Sequence, residues 1–191
     1  EGMDLKFRLS YGKTGNQEGI GNYAYQPKLS AGYNYGNESG FAVSDFGNEQ
    51  LTWEKADQFD VGIDMGLFDD RLTIIADAYL KNTNGMLVPM SVPVSTGYSD
   101  TNVPYTNQGK IENKGLEITL SSDNIVTNDF YWGSDFNISF NKNKIISLSD
   151  KKEVFYNEAG MGQYFCINRV GEPIGAFIGY KTNGIFQTQD D

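Results

Sequence analysis

Between Asn48 and Asn82 the side chains change character at every step, and this stretch, NEQLTWEKADQFDVGIDMGLFDDRLTIIADAYLKN, leaves few folds open. Phe59, Val61, Ile63, Met65 and Leu67 take alternate positions, with Gln58, Asp60, Gly62, Asp64 and Gly66 between them. Past Asp69 and Asp70 the alternation resumes, with Leu72, Ile74, Ala76, Ala78 and Leu80 on one side and Thr73, Asp77, Tyr79 and Lys81 on the other. Successive side chains of a strand point to opposite faces, so this period means one apolar face and one polar face. A loop of two or four residues around Asp69-Asp70 pairs Leu67 with Leu72, Met65 with Ile74 and Phe59 with Leu80, while Asp60 meets Tyr79 and Gln58 meets Lys81. Slipping the register by one residue would set carboxylates among leucines, so the pairing is strongly specified. The stretch predicts a long antiparallel hairpin whose apolar side needs a cover.

The flanking sequence predicts more strands of the same kind. Met3, Leu5, Phe7, Leu9 and Tyr11 alternate with Asp4, Lys6, Arg8 and Ser10. That is a strand of about nine residues, a length that crosses a hydrocarbon layer when tilted. From Gly12 to about Thr52 a Gly-, Asn- and Tyr-rich segment has no sustained period, and a second loop-like segment with Pro89, Pro93 and Pro104 runs from about Thr83 to Gln108. A fourth strand is expected at Lys114–Leu120. After a shorter connection, Ser121 to Asp129, comes a fifth, with Trp132, Phe136, Ile138 and Phe140 on one face and Asp135, Asn137, Ser139 and Asn141 on the other. Lys142 to Leu148 extends it. A third long loop, roughly Ser149 to Asn168, leads to a sixth expected strand at Ala176–Tyr180.

Connections therefore alternate long and short. In an up-and-down sheet alternate connections lie at the same end, so the long loops gather at one end and the turns at the other, which is the anatomy of outer-membrane barrels. A soluble sandwich has no reason to sort its loops so. Six strands cannot close a barrel, for which eight is the practical minimum, and an open sheet would leave two bare edges and a bare apolar face. The expectation is a part of a longer polypeptide, without internal repeat or domain linker.

Composition removes several chemistries. With 15 basic against 25 acidic residues the net charge is −10, which disfavours binding a phosphate backbone, so no nucleic-acid partner is expected. The chain has no His, which takes away the commonest general base and zinc ligand, and its single Cys166 can form neither an internal disulfide nor a cysteine cage. Glu1-Gly2-Met3-Asp4 is not a signal peptide, and no apolar run is long enough for a membrane helix. The average polarity does not exclude a membrane barrel, whose alternating strands average to neutral.

The candidate sites are few. Gly12-Lys13-Thr14 matches the end of a phosphate loop, but Phe7 stands where the first glycine belongs and a long loop follows instead of a helix. Asp60 and Asp64 share a face, yet four residues along a strand is roughly 13 Å, beyond the roughly 5–9.5 Å of a glycosidase pair. Asp77 lies diagonally near Asp64 on the partner strand. That leaves a cross-strand acid pair or, as the plainer alternative, hydrated carboxylates facing a cation. Asp45, Asp100 and Asp123 lack calcium-loop spacing, and Cys166 reads as a buried or incidental thiol. No metal, cofactor or catalytic group is expected. The loop aromatics Tyr23, Tyr25, Tyr33, Tyr35, Phe155, Tyr156 and Tyr164 can stack on sugar rings or grip a peptide, and can equally pack loop on loop.

Several short motifs, in order, resemble the β-barrel of SusC/RagA-type TonB-dependent outer-membrane transporters. They are Leu9-Ser10-Tyr11-Gly12 with Thr14-Gly15-Asn16-Gln17, Ile20-Gly21-Asn22-Tyr23, and Asn48-Glu49-Gln50-Leu51-Thr52-Trp53-Glu54-Lys55 leading into Val61-Gly62-Ile63-Asp64. Asp70-Arg71-Leu72, Asn107-Gln108-Gly109, Asn113-Lys114-Gly115-Leu116-Glu117 and Asn141-Lys142-Asn143-Lys144-Ile145 follow. Gly171-Glu172-Pro173-Ile174-Gly175 with Ala176–Tyr180, and Gly184-Ile185-Phe186-Gln187, close the set. The resemblance implies an all-β antiparallel meander, about six strands of a barrel of about 22, with long extracellular loops, over residues 1–191 as a partial barrel domain. It implies uptake of oligosaccharides or peptides across the outer membrane of a Gram-negative bacterium, with a SusD-like surface lipoprotein as partner and energy from TonB. No plug, TonB box or carboxy-terminal strands are found here, so coupling is assigned to no residue of this chain.

On this reading Leu5, Phe7, Leu9, Phe59, Val61, Ile63, Met65, Leu72, Ile74, Leu116, Ile118, Phe136 and Ile138 face lipid in a band about 25 Å tall. Trp53 and Tyr11, taken as lying at one strand edge, suit an aromatic belt. Asn113-Lys114-Gly115 is expected as a turn or bulge opening a strand, with Lys114 toward lumenal carboxylates. Gly62 and Gly66 leave room for a large neighbour or a plug surface. The alternatives are a soluble β-rich glycan-binding module, which would bury the same apolar residues between two sheets, and a secreted β-sheet enzyme. The lack of His and of a compact acid pair weighs against the enzyme.

Overall fold

A computed structural model describes residues 2–89, 105–148, 152–158, 164–181 and 184. Among these there is no helix. Five strands, β1 (Asp4–Asn16), β4 (Glu54–Leu67), β5 (Leu72–Pro89), β6 (Tyr105–Val126) and β7 (Tyr131–Leu148), form one antiparallel sheet in the order β1-β4-β5-β6-β7. The remaining strands make two small sheets. One is the β2 (Lys28–Ala31) and β3 (Phe41–Asp45) pair; the other holds β8 (Glu153–Glu158), β9 (Tyr164–Arg169) and β10 (Ala176–Phe177).

The hairpin register is the one the alternation predicts: Leu67 opposite Leu72, Met65 opposite Ile74, Phe59 opposite Leu80, Asp60 opposite Tyr79 and Gln58 opposite Lys81. The loop is the four-residue alternative, Phe68 to Arg71, closed by the Arg71 N–H donating to the Phe68 carbonyl at 3.3 Å. Phe68, Asp69 and Asp70 all have positive φ, 58°, 56° and 62°. Arg71 also donates through its guanidinium to the Asp123 carbonyl at 3.0 Å, tying this turn to the next strand.

Four expectations are corrected. The strands run well past their alternating stretches: β1 continues to Asn16, and β6 spans 22 residues where only Lys114–Leu120 shows the pattern. A ladder needs only backbone partners, so it propagates where both faces are polar and no pattern marks it. The segments read as loops at Gly12–Thr52 and Ser149–Asn168 contain the small strands β2, β3, β8 and β9. Ala176–Tyr180 adds no strand to the main sheet. Only Ala176 and Phe177 are extended, and they pair with Ile167 and Cys166 of β9, in a segment turned by Gly171 and Gly175 at φ 94° and 74°. Finally, Asn113-Lys114-Gly115 is unbroken strand; β6 bulges at Lys110/Ile111 and Asp123/Ile125 instead.

The buried hydrophobic residues among those described are Ile111, Ile145, Cys166 and Ile167, at the end where β6 and β7 meet the β8-β10 sheet. Here the open edge of β7 is covered. The Ile145 N–H donates to the Glu172 carbonyl at 2.9 Å, the Gly171 N–H to the Ile145 carbonyl at 2.8 Å, and the Ile174 N–H to Asn143 Oδ1 at 2.8 Å. Arg169 braces the strip on Glu153 at 2.9 Å and Glu172 at 3.2 Å, and those carboxylates raise its pKa further. Unpaired strand edges are otherwise templates for other chains. The Gly-Glu-Pro-Ile-Gly motif thus covers the β7 edge at Ile145.

Candidate functional site

Direct pairing across five strands turns the predicted apolar residues into rows. Leu9, Val61, Ala78, Leu116 and Phe140 form one; Phe7, Ile63, Ala76, Ile118 and Ile138 the next; Leu5, Met65, Ile74, Leu120 and Phe136 the third. Leu67 and Leu72 extend this face on one side, Tyr11, Phe59 and Leu80 on the other. Nothing described covers these rows: Phe7 is 73 % exposed, Phe136 55 % and Val61 46 %, and Phe59 is exposed as well, while Ile63, Met65, Leu72, Ile74 and Ile118 are half-buried by their neighbours in the sheet.

The opposite face is polar and charged. Arg8 reaches across two strands, donating through Nε and Nη2 to Asp64 at 3.0 and 2.7 Å and through Nη2 to Asp77 at 2.9 Å, with Lys6 3.8 Å from Asp64. Both carboxylates are thus spent on one guanidinium, which is the plainer of the two readings of this pair. Gly62 is what admits the fork: a Cβ there would stand 2.9 Å from the Arg8 Cζ and collide with the Asp77 carboxylate. One row along, Gly115 lies under the Tyr79 ring, whose Cε1 would be 2.6 Å from a Cβ. Asp60 accepts from Ser10 Oγ at 3.0 Å and from Gln58 Nε2 at 2.8 Å. Lys114 is not here. It shares parity with Leu116 and stands on the apolar side, 3.4 Å from Glu112, so its expected lumenal carboxylate partners are replaced by that neighbour.

At the end carrying the long connections, the Asn48–Lys55 motif anchors the first of them. Asn48 Oδ1 accepts from the Gln50 N–H at 3.0 Å and its amide donates to the Tyr105 carbonyl at 2.8 Å. Asn107 grips Thr52 on both backbone groups, accepting its N–H at 2.8 Å and donating to its carbonyl at 2.6 Å, and also donates to the Gly85 carbonyl at 2.9 Å. Glu54 takes the Leu87 N–H at 3.0 Å. No periodicity marks Asn107 or Glu54; only their motifs did. Trp53 packs on Gly15, 3.4 Å from where its Cβ would be, well beyond Tyr11. Tyr11 is internal to β1, opposite Phe59, with its hydroxyl donating to Asp57 at 3.1 Å, so the two aromatics do not share one edge.

Of the loop aromatics, Tyr25 lines a hollow of about 260 Å³ with Trp53, Leu51 and Ile20. Tyr23 sits in a turn at φ 66°, Tyr35 bridges Glu38 between β2 and β3, and both they and Tyr33 are exposed. Tyr164 opens β9, and the side chains of Phe155 and Tyr156 lie outside the described residues. No cluster of metal-binding side chains occurs among the described residues, and Cys166 is buried.

The model of the TonB-dependent receptor-like β-barrel matches residues 4–163. The chain belongs to this family. Among TonB-dependent receptors, P3 of Formosa agariphila is 38 % identical over 188 residues, covering 95 % of this chain and 18 % of that protein. SusC of Bacteroides thetaiotaomicron is 35 % identical over 171 residues, covering 82 % of this chain and 16 % of its own length. Of solved structures, the RagAB peptide transporter matches with a TM-score of 0.75 at 30 % identity, over 91 % of this chain and 18 % of that one. The chain thus spans about a fifth of the length of the TonB-dependent receptors it resembles. The ordered motifs fall within the family match up to Ile145, and the edge-covering strip lies beyond it.

Proposed function

We propose that this chain is a wall segment of an outer-membrane nutrient importer of a Gram-negative bacterium. Its five strands cross the bilayer side by side, with the apolar rows on lipid, the Arg8-Asp64-Asp77 face on a watery interior and the long connections outside the cell. The in-register apolar rows left bare on one face carry this reading. On β7, Trp132 and Lys142 bracket Phe136, Ile138 and Phe140. Ten residue steps make about 33 Å along a strand, or about 25 Å of height at the usual barrel tilt of ~40°. A soluble glycan-binding module would need a second sheet over those rows. Residues 1–191 then form part of a barrel domain, and cargo, an oligosaccharide or a peptide, is taken at the long-loop end with a SusD-like lipoprotein. Tyr25 beside Trp53 is the loop aromatic best seated to meet it. TonB-coupled energy is assigned to no residue of this segment. The likeness to the RagAB peptide importer holds in both its open-open and its closed-closed state, with TM-scores of 0.75 and 0.74.

The test is a pair of substitutions in the full-length receptor. Val61→Arg puts a cation at mid-bilayer, costing about 2–4 kcal/mol on a lipid face, and should deplete the heat-modifiable barrel from the outer membrane. Asp60→Asn, on the watery face, should leave assembly unchanged. Equal tolerance of both would overturn the assignment of faces.

A further inference from the structure

Where the apolar rows end toward the long loops, the same face turns basic. In the row of Phe59 and Leu80 it carries Lys114 and Lys142, and beyond that row Lys13, Lys55, Lys110 and Lys144 against Asp57 and Glu112, on a chain whose net charge is −10. Lys114 and Lys142 are directly opposite each other on β6 and β7, a like-charge pair that costs stability in a sheet unless an anion joins it. Glu112 serves Lys114 at 3.4 Å, and Lys142 has no ion pair among the described residues. Between these lysines and the last apolar row lies a hollow of about 540 Å³, walled by Leu80, Leu116 and Phe140 and rimmed by Lys114, Lys142 and Glu112. Two cations above an aliphatic and aromatic trough fit one amphiphile: a phosphate at the rim and an acyl chain below it.

We propose that this hollow seats a phosphorylated glycolipid of the outer leaflet, its phosphate bridging the Lys114 and Lys142 ammonium groups and its acyl chain lying between Leu116 and Phe140. The inference rests on the barrel-wall reading, which fixes this face to lipid and this level to the headgroups. Charge decides the class of occupant. A neutral headgroup offers the lysine pair no anion and a zwitterionic one brings a cation along with its phosphodiester, whereas a phosphomonoester joins the pair by charge-assisted hydrogen bonds without adding a cation.

The experiment uses the full-length receptor, purified and stripped of lipid by detergent. It is titrated with diphosphoryl lipid A or its dephosphorylated form, and bound lipid is counted by native mass spectrometry. Diphosphoryl lipid A should be retained in preference to the dephosphorylated form, and Lys114→Gln/Lys142→Gln should weaken that retention about tenfold or more. Lys114→Arg/Lys142→Arg should keep it, and Lys81→Gln on the other face should not alter it. Equal retention by wild type and the double glutamine variant, equal binding of both lipids, or full displacement by millimolar inorganic phosphate would overturn the proposal. Heat-modifiable barrel is measured in the same samples. A variant that assembles normally yet binds lipid unchanged defeats only the lipid seat, while failure of the Val61→Arg contrast defeats the wall itself.

Discussion

Gly62 is buried in a sheet that buries little else, and Arg8 is the reason. Its guanidinium binds carboxylates on two different strands across a residue with no side chain, through the space a Cβ would fill. Gly62→Val should therefore push the fork aside and lower barrel stability by about 1 kcal/mol, the scale of a partly exposed ion pair. Gly12→Ala, in open space, is the matched control and should be near neutral. Thermal loss of heat-modifiability measures both. In the turn at Phe68–Asp70, three successive non-glycine residues hold left-handed φ, which is disfavoured for any L-residue. Asp69→Gly should gain about 1 kcal/mol there, read as a later unfolding midpoint in denaturant.

At the scale of elements, the strands are longer than any membrane needs. Crossing takes about 9–11 residues, and β6 has 22. Most of the added length lies at the long-loop end, where the loops are fixed by side-chain clamps. Asn107 is the densest of these, with three hydrogen bonds to Thr52 and Gly85. Each such bond contributes about 0.5–1.5 kcal/mol. Asn107→Ala should free the base of the first long connection and speed amide exchange at Thr52 by about tenfold or more. Asn107→Asp, which keeps the acceptor and loses both donors, should fall between. Unchanged exchange in both variants would mean that the connection is held elsewhere.

For the whole molecule the surface area is the telling quantity. The chain exposes 14762 Å² at 21.3 kDa, against about 9,000 Å² for a compact monomer of that mass. A sheet with both faces open has no interior to hold it in water. Expressed by itself in aqueous buffer, this segment should elute as aggregate or unfolded chain, and detergent micelles should be needed to bring out β-type circular dichroism. A monodisperse, cooperatively melting monomer without detergent would contradict the bare apolar face.

The alternation of Phe59 to Leu80 was enough to read the hairpin, its register and its two faces, because a period of two admits one pairing that keeps carboxylates from leucines. Parity alone also put Lys114 with Leu116, although its motif suggested the other face. The residues that tertiary structure decided are those with no period to carry a signal. The polar extensions of β5, β6 and β7 look like loop because water is tolerated on both of their faces. Ala176–Tyr180 looks like a barrel strand because its apolar run says nothing about which edge it will find. Asn107, Glu54 and the Gly171–Ile174 strip act through backbone groups remote in sequence, and only the folded sheet brings those groups within hydrogen-bonding reach. Side-chain hydrophobicity is written residue by residue along the chain. The partners of backbone donors and acceptors are set only when the strands are side by side.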